Sequence, residues 1–524
     1  MMATRAAAKQ PGSGWFLVGI GGILVAFTSL WSRLASSLTI WSDEGTQMAV
    51  ASGILRTGEP YPVLFDQCGQ LVTTSRYLRG LEISQLTAWS YRLFGESTEA
   101  ARLVPFVFTM ASWLLYALYA GLRLRVGRGV ILTATWLFFA QSMVLEQALN
   151  DRIYAPMLFF MLVMMIAIWE LRRCLQERRV VGAIWWAVAG VIAIGIPTPR
   201  WHLIMLPIAA LGVALLWLDH RPAMLRPFQR LQRAIRDLPV RWKVLLGGLL
   251  LYGTLCTGAI SSWLVDVLAG RLVGSHRVHT TYWDNLFGLL RYLVVLNVLI
   301  IGWLRVRKFP TEFLSWMCGT GVISGLVIGL LMTHNYIFYS RFFYLSVALA
   351  CLGAAAWLTR TQAATRLALL LCYLLVNVMM SGVTLGWDRS NIKRAIAWLK
   401  HSTDADDIIL TFGADLFMYG GNDLCDRTYP ILSEQFHLPA RQVASLPSQH
   451  TVIPLSYMKP RDPNRMRQLF ITSDDLKALF DAHPSSDVYY LYTDSYAFRD
   501  RLYQLTTGKY RSVRYAVPHN LYGV

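Results

Sequence analysis

The sequence predicts an α-helical polytopic membrane protein of about eleven transmembrane helices, followed by a small C-terminal extracytoplasmic α/β domain. The 524 residues are 55% hydrophobic and only 15% charged. With a mean hydropathy of +0.41, such a chain has too little polar surface to cover a soluble globule. Apolar runs recur from Trp15 almost to Gly386, and many are close to the roughly 20 residues that a spanning helix needs. Basic residues cluster in every second connection between these runs.

The apolar runs and the charge pattern together set the predicted topology. We predict spans near residues 15–31, 102–122, 129–147, 153–171, 181–196, 201–218, 244–268, 285–304, 313–332, 342–358 and 366–386. By the positive-inside rule the basic loops face the cytoplasm and the acid-bearing loops face outward. The N-terminus is then cytoplasmic, and an odd number of spans places the C-terminus outside. The net charge of +18 therefore reports topology and does not indicate a nucleic-acid partner.

Two outward segments stand apart from the predicted transmembrane module, residues 1–386. The long first outer loop, residues 32–101, has helical spacing at Gly45–Leu55 and Leu81–Leu93, and we expect these amphipathic stretches to lie in the membrane interface. The tail, residues 387–524, is polar and predicts strands near 407–412 and 488–493 within an α/β domain. Cys68 and Cys425 both face outward in this topology, and their pairing is left open.

The first outer loop begins with WSDEGT, in which Asp43 and Glu44 are adjacent carboxylates just beyond the first span. Partial desolvation at the membrane surface would raise a carboxyl pKa towards neutrality, as a general base requires. The alternative is structural: Ser42 or Asp43 caps the helix Gly45–Leu55, with Glu44 in its first turn. Spacing alone favours the structural alternative.

Outward-facing arginines form a complementary set, several of them where a predicted span begins. They are Arg76, Arg79, Arg102, Arg152, Arg200 and Arg341. Arginines against the inside bias indicate a bound anion, while snorkelling to lipid phosphate explains a single such residue equally well. His276 and His279 have metal-ligand spacing but no third ligand. Walker loops, nucleotide-binding glycine motifs and nucleophile elbows do not occur.

Ordered motifs in the N-terminal half resemble a known family. WSDEGT is followed by Gly53–Pro62, by Tyr77-Leu-Arg-Gly80, by Leu93–Leu103 and by Asn150–Pro156 at the start of the fourth predicted span. The set resembles polyprenyl-phosphate-sugar-dependent glycosyltransferases of the GT-C fold, which include protein O-mannosyltransferase-like and aminoarabinose-transferase-like enzymes. The resemblance covers residues 15–180, and the later spans match by topology only.

The resemblance implies an inverting transfer of a sugar from a polyprenyl-phosphate donor to a hydroxyl on a lipid, glycan or protein acceptor, in cell-envelope assembly at a bacterial inner membrane. Asp43 would act as base, supported by Glu44, while Arg102, Arg152 and Arg341 stabilise the leaving phosphate. The remaining candidate substrate-binding residues are Tyr77, Arg79, Asp151, Tyr154, Arg200 and His202. Tyr154 stands where some relatives carry an acid, and Asp151 could substitute for it.

The same resemblance leaves some matters open. With arginines neutralising the phosphate no metal is required, and a divalent cation stays an open alternative. A lipid-linked-sugar transporter or flippase is the first competing function, disfavoured because the sequence shows no matched pair of broken spans. A non-catalytic scaffold of a glycan-assembly complex is the second.

Overall fold

The computed structural model describes residues 13–37, 42–60, 80–196, 199–219, 313–334 and 343–385, and three short strands beyond them. Within these residues the helices, numbered in chain order, are α1 Ser13–Ser37, α2 Ser42–Thr57, α3 Leu81–Phe94, α4 Thr98–Leu118, α5 Arg128–Phe139, α6 Ser142–Ala148, α7 Tyr154–Gln176, α8 Val180–Gly195, α9 Pro199–Asp219, α10 Phe313–His334, α11 Tyr344–Leu358 and α12 Ala363–Leu385. A five-residue π-helix, Tyr119–Arg123, extends α4.

The predicted spans coincide with described helices except those near 244–268 and 285–304, which lie outside the described residues. Among the described helices, α1, α4 with its π-helical extension, and α7 are long and apolar enough to cross a membrane by themselves. The bent pair α5 and α6 passes together, and five apolar helices are shorter. The protein is therefore a multi-pass membrane protein, and the total of eleven spans stays a prediction.

The third predicted span is broken, which corrects the continuous helix expected over 129–147. Helix α5 ends at Phe139, α6 begins at Ser142, and their axes differ by 66°. Helix kinks usually occur at Pro or Gly, but Ala140 and Gln141 separate these two helices. Side chains of α12 bind the backbone groups that the break releases, since Asn377 Oδ1 accepts from the Ser142 amide at 3.0 Å and Tyr373 donates to the Leu137 carbonyl at 3.0 Å.

Helices α2 and α3 of the first outer loop differ from each other in exposure. Helix α2 begins at Ser42, three residues before the predicted start at Gly45. Residues 47–53 of α2 are buried, so protein encloses this part of the helix, and its position in the membrane interface stays a prediction. Helix α3 leaves Trp89, Leu93 and Phe94 more than 60% exposed, and its contact with the membrane interface stays a prediction.

The inner ends of α4 and α7 are joined by a buried carboxylate. Glu170, near the end of α7, is fully buried and accepts hydrogen bonds from the Tyr119 hydroxyl at 2.8 Å and from Arg123 Nη2 at 2.9 Å. Both donors lie on the π-helix, whose extra residue per turn moves them around the helix axis. The pair α4 and α7 is therefore fixed at its C-terminal end, which the predicted topology places at the cytoplasmic surface.

Helices α10 and α11 pack unusually closely. A Cβ atom at Gly321 would lie 2.5 Å from the Ser346 carbonyl oxygen, and one at Gly353 would lie 2.5 Å from the Leu314 carbonyl oxygen. Because Gly321 meets the start of α11 and Gly353 meets the start of α10, the helices are antiparallel. Glycine is needed at both positions, as in many membrane helix pairs.

The tail contains a three-stranded parallel sheet. Its strands are β1 Ile408–Phe412, β2 Thr451–Leu455 and β3 Val488–Tyr492, in the order β2-β1-β3. Leu410 of β1 pairs with Ile453 of β2 and with Tyr490 of β3. Two of the strands, β1 and β3, were expected from sequence. The helices of the predicted α/β domain lie outside the described residues, so the domain stays a prediction.

Candidate functional site

A buried ion pair between Glu44 and Arg102 forms the centre of the candidate site. Arg102 Nε donates to Glu44 Oε1 at 2.8 Å, and Arg102 Nη2 donates to Glu44 Oε2 at 3.0 Å. Both side chains are almost fully buried, with 1% and 2% of their surfaces exposed. The third guanidinium nitrogen, Nη1, donates to the Ala35 carbonyl near the end of α1 at 2.8 Å. The pair therefore joins α1, α2 and α4 at the outer end of the bundle.

Asp151 brings a second carboxylate to this centre. Its backbone amide donates to Glu44 Oε1 at 3.2 Å, and its fully buried side chain accepts from Thr87 Oγ1, which lies 3.0 Å from both carboxylate oxygens. Burial raises the pKa of Asp151 well above its usual value, and the nearby charge of Glu44 raises it further. The site thus holds one carboxylate in an ion pair and a second that resists ionisation.

Gly80 sets the distance between the first outer loop and the start of α7. It precedes α3 with φ +66°, a left-handed conformation that glycine adopts at little cost. A Cβ atom at this position would lie 2.9 Å from Gln47 Nε2 and 3.2 Å from Ile153 Cγ2. Ser84, one turn into α3, donates to Gln47 Oε1 at 2.5 Å. The glycine that ends the Tyr77–Gly80 motif is therefore required by the close approach of α2, α3 and the Asp151 loop.

Glu96 joins two further segments of the ordered motifs by hydrogen bonds. It accepts hydrogen bonds from Ser52 of α2 and from Arg56 Nη2 at 2.5 Å. Its two partners belong to α2, whereas Glu96 lies between α3 and α4. This pair is about one third exposed. It ties the Gly53–Pro62 segment to the Leu93–Leu103 segment, which is a structural role for both.

The structure adds three buried polar residues that the sequence analysis missed. The Tyr91 hydroxyl, both amide atoms of Gln147 and Oδ1 of Asn150 have no hydrogen-bond partner among the residues that the structure describes. Asn150 precedes Asp151, Gln147 lies about one helical turn earlier, and Tyr91 lies close enough for Asp151 and Glu44 to help raise its phenol pKa, after burial itself. Asn150 opens one of the ordered motifs, but no role was predicted for it, and Gln147 and Tyr91 belong to none of these motifs. Buried polar groups without a partner are rare in folded proteins, so these atoms point to a ligand or to water.

In the structure Arg102 binds protein groups, and its predicted role at a donor phosphate stays a prediction. All three guanidinium nitrogens donate to protein oxygens, two of them on Glu44 and one on Ala35. A side chain that is buried and engaged in this way positions Glu44 and does not reach a phosphate in the described arrangement. The same contacts hold Glu44 next to Asp43 in the chain, and its role in supporting Asp43 stays a prediction.

The other predicted site residues are distributed as follows. Arg152 is partly exposed in the loop before α7, and Tyr154 is buried at the start of α7. Asp43 lies in the first turn of α2, and Arg200 and His202 lie in the first turns of α9, without a described side chain. Tyr77, Arg79 and Arg341, like Cys68 and Cys425, lie outside the described residues. Groups of three or more metal-binding side chains do not occur among the residues that the structure describes.

The Glu44→Gln variant tests how much the buried ion pair between Glu44 and Arg102 contributes to the stability of the protein. Glutamine removes the carboxylate that bonds two nitrogens of the buried Arg102 guanidinium, so we expect a loss of about 3–5 kcal/mol in the free energy of unfolding. The Arg56→Ala variant is the control, because its ion pair is partly exposed and should contribute only about 0–1 kcal/mol. Thermal unfolding of the detergent-solubilised proteins measures both losses. Equal losses in the two variants would contradict a special role of the buried pair.

The Asp151→Asn variant tests the raised pKa of Asp151. Below the unfolded-state pKa of about 3.9 the carboxyl is protonated in both states. At higher pH the unfolded state ionises first, so Asp151 stabilises the native state less as pH rises through its folded-state pKa. Asparagine does not ionise, so the variant does not lose stability in this way. The Tm of the variant, relative to that of the wild type, should therefore rise between pH 4.5 and pH 8.

The Glu177→Gln variant is the control for this pH series. The pKa of Glu177 is lowered by a hydrogen bond from Arg173, and its carboxylate is exposed. Glu177 thus stabilises the native state above its unfolded-state pKa and loses that contribution as pH falls, the opposite sign from Asp151. A Tm difference for Asp151→Asn that is independent of pH would refute the raised pKa.

Protein-family profiles and curated protein sequences give no match to the chain. Among solved structures, ArnT from Cupriavidus metallidurans in the apo state is 12% identical, with a TM-score of 0.52 over 90% of this chain and 93% of that one. ArnT bound to undecaprenyl phosphate is 13% identical, with a TM-score of 0.51 over 78% of this chain and 85% of that one.

An oligosaccharyltransferase from Archaeoglobus fulgidus also matches, at 12% identity, with a TM-score of 0.43 over 78% of this chain and 64% of that one. The likeness to ArnT extends over nearly the whole of both chains. At so low an identity it establishes the fold and leaves the reaction to other arguments. The chain has the fold of ArnT, in agreement with the fold that the resemblance of its motifs implies.

Proposed function

We propose that the protein is an inverting membrane glycosyltransferase that moves a sugar from a polyprenyl-phosphate donor to a hydroxyl acceptor on the outer face of a bacterial inner membrane. The observation that carries the proposal is the buried centre of Glu44, Arg102 and Asp151, which joins the first outer loop to the starts of α4 and α7 within an ArnT-like fold. ArnT itself has a structure bound to undecaprenyl phosphate, which supports a lipid phosphate as donor.

The centre supports Asp43 as the catalytic base. Asp43 precedes Glu44 in the first turn of α2, and the Glu44 side chain is held by Arg102 and by the Asp151 amide. These bonds fix the backbone of the first turn of α2, and so the place from which Asp43 acts. A general base benefits from such a rigid support, because small displacements of a reacting group cost much of the rate.

The reaction is then a single displacement. Asp43 accepts the proton of the acceptor hydroxyl while the hydroxyl oxygen attacks the anomeric carbon from the side opposite the phosphate. The bond between the anomeric carbon and the phosphate oxygen breaks, and the polyprenyl phosphate leaves with the electron pair. The configuration at the anomeric carbon is inverted, and the proton on Asp43 is later released to solvent.

The leaving phosphate gains a negative charge and needs fixed cations beside it. Arg152 and Arg341 are the candidates, at the starts of the fourth and tenth predicted spans. Arg102 supports the site through Glu44, since its guanidinium is engaged with protein oxygens. In this proposal the arginines provide the charge stabilisation, and a divalent cation stays an alternative that the residues do not require.

The unpartnered polar atoms near Asp151 fit the sugar of the donor. A sugar presents several hydroxyl groups that both donate and accept hydrogen bonds. Gln147 offers a buried amide with a donor and an acceptor, and Asn150 offers a buried acceptor. Tyr91 adds a hydroxyl on the α3 side. We assign these three residues to donor-sugar recognition, together with the sequence-predicted candidates Asp151 and Tyr154.

The Asp43→Asn variant tests the proposed base. Undecaprenyl-phosphate-linked glucose, mannose, galactose and 4-amino-4-deoxyarabinose are supplied to the purified protein in lipid nanodiscs, and donor cleavage and donor binding are measured. Asparagine keeps the shape of the side chain and removes the base, so turnover should fall by about 10²-fold or more while donor binding is retained. Glu99→Gln, which removes an exposed carboxylate of the same outer region, is the control and should leave turnover unchanged.

The same measurement separates the competing functions. Equal turnover in Asp43→Asn and wild type would remove Asp43 as the base. Binding without cleavage of every donor by the wild-type protein, in the presence of lipid, glycan and peptide acceptors, would contradict the transferase. In that case movement of the donor across a vesicle bilayer would favour a flippase, and its absence would favour a scaffold.

The Gln147→Leu variant tests sugar recognition. Leucine has a similar volume and removes amide atoms that bond no described residue, so the Tm should not fall. The KM for the donor should rise about 3–10-fold, as expected for one or two lost hydrogen bonds. Thr135→Val is the control, because Thr135 bonds Trp113 and the Ile131 carbonyl: it should lower the Tm and leave the KM unchanged. A lower Tm with an unchanged KM for Gln147→Leu would assign Gln147 to structure.

A further inference from the structure

The break between α5 and α6 occurs inside a helix pair that would otherwise form one membrane span. Backbone N–H and C=O groups at a break lose their helical partners, and the membrane offers no water to replace them. Such a break persists where other protein groups satisfy the freed backbone. In this structure two side chains of α12, one helical turn apart, do so on the two sides of the break.

Tyr373 holds the α5 side of the break. Its hydroxyl donates to the Leu137 carbonyl at 3.0 Å, and Leu137 lies in the last turn of α5, where carbonyl groups have no helical donor. The Cys351 thiol of α11 lies 3.1 Å from the same hydroxyl. The Tyr373 side chain is 3% exposed, so water does not compete for this carbonyl.

Asn377 holds the α6 side. Its Oδ1 accepts from the backbone amide of Ser142, the first residue of α6, at 3.0 Å. Its Nδ2 donates to the Tyr373 carbonyl at 2.9 Å, which orients the amide and fixes which of its atoms faces the break. The side chain is 1% exposed. The two residues thus hydrogen-bond the end of α5 and the start of α6 and stabilise the 66° angle between these helices.

The angle matters because α6 leads directly to the site. Helix α6 is only seven residues long, and Asp151 follows its last residue, Ala148, after two further positions. At this outer end Trp31 Nε1 of α1 donates to the Ala148 carbonyl at 2.9 Å. A rotation of α6 at the break would move Gln147, Asn150 and the Asp151 amide that bonds Glu44.

We propose that Tyr373 and Asn377 are positioning residues for the transfer reaction: from α12 they set the direction of α6 and thereby the placement of Asp151 and of Glu44 in the outer site. The inference rests on the proposed function for its catalytic consequence. Neither residue touches the substrate. They act through the backbone of α5 and α6, at a distance from the acids that the sequence motifs contain.

The test compares Tyr373→Phe and Asn377→Ala with the matched control Tyr116→Phe. Tyr116 is 1% exposed, and its hydroxyl donates to the Leu352 carbonyl of α11 at 3.0 Å. Each tyrosine variant therefore removes one buried hydroxyl that bonds a carbonyl of another helix, and only Tyr373 does so at the break. Thermal stability in detergent should fall to a similar extent in the two tyrosine variants.

Two readouts separate positioning from stability. With the donor that the wild-type protein cleaves, kcat should fall about ten-fold or more in Tyr373→Phe and Asn377→Ala, while the KM for the donor stays within about two-fold, as for a misplaced reacting group. Hydrogen exchange over residues 142–153 should become faster in these two variants. Tyr116→Phe should retain both the wild-type kcat and the wild-type exchange rate in this segment.

The outcomes distinguish this inference from the proposed function. If kcat and exchange in Tyr373→Phe and Asn377→Ala match those of Tyr116→Phe, the positioning role is overturned although the transferase stands. If the wild-type protein cleaves none of the four donors, the proposed function fails, and hydrogen exchange over residues 142–153 alone tests the positioning role. Faster exchange in the two variants supports the positioning of α6 by Tyr373 and Asn377, and unchanged exchange overturns it.

Discussion

The outer half of the structure depends on the bidentate contact between Arg102 and Glu44. A guanidinium and a carboxylate removed from water lose several kcal/mol of hydration each, and their attraction compensates only when every polar atom finds a partner. Here the remaining guanidinium nitrogen bonds the end of α1, and a Glu44 oxygen bonds the Asp151 amide. The pair therefore contributes geometry more than stability. It joins α1, α2, α4 and the loop before α7 in one arrangement and holds the first turn of α2 against them.

A second buried carboxylate also bonds an arginine, at the other end of the helix pair α4 and α7. Glu170 of α7 bonds Tyr119 and Arg123 of the π-helix that extends α4, so α4 and α7 are tied near both membrane surfaces. Between these ties lies a broken span that is held by α12. The outer site thus rests on a frame that is constrained at its two ends and along one side, which suits chemistry that requires fixed groups. Helix α2 is part of this frame, because its residues 47–53 are buried.

The sequence was sufficient for the fold class because bilayer thickness and charge bias act on long segments that simple counting detects. It placed Asp43 and Glu44 at the start of a helix on the outer side, and it selected Arg102 for its position against the inside bias. It could not show that Arg102 and Glu44 satisfy each other, because that contact joins residues 58 positions apart. The break after α5 was missed for a related reason: Ala140 and Gln141 carry no local signal for a kink, and the residues that stabilise it lie more than 230 positions later. Gln147 and Asn150 were invisible because what distinguishes them is a missing partner, which only a structure reports.

The contacts of Glu44 also constrain the order in which the protein is assembled during synthesis. Its two described partners are 58 and 107 residues further along the chain. Glu44 is therefore made before either of these partners, and α2 cannot take up its enclosed position at that stage. Arg102 arrives with α4, and the Asp151 amide arrives only after α5 and α6 have been made. Helix α2 must therefore wait until synthesis has passed Asp151. The site is completed late in biogenesis, by helices that enter the membrane after the acids they will hold.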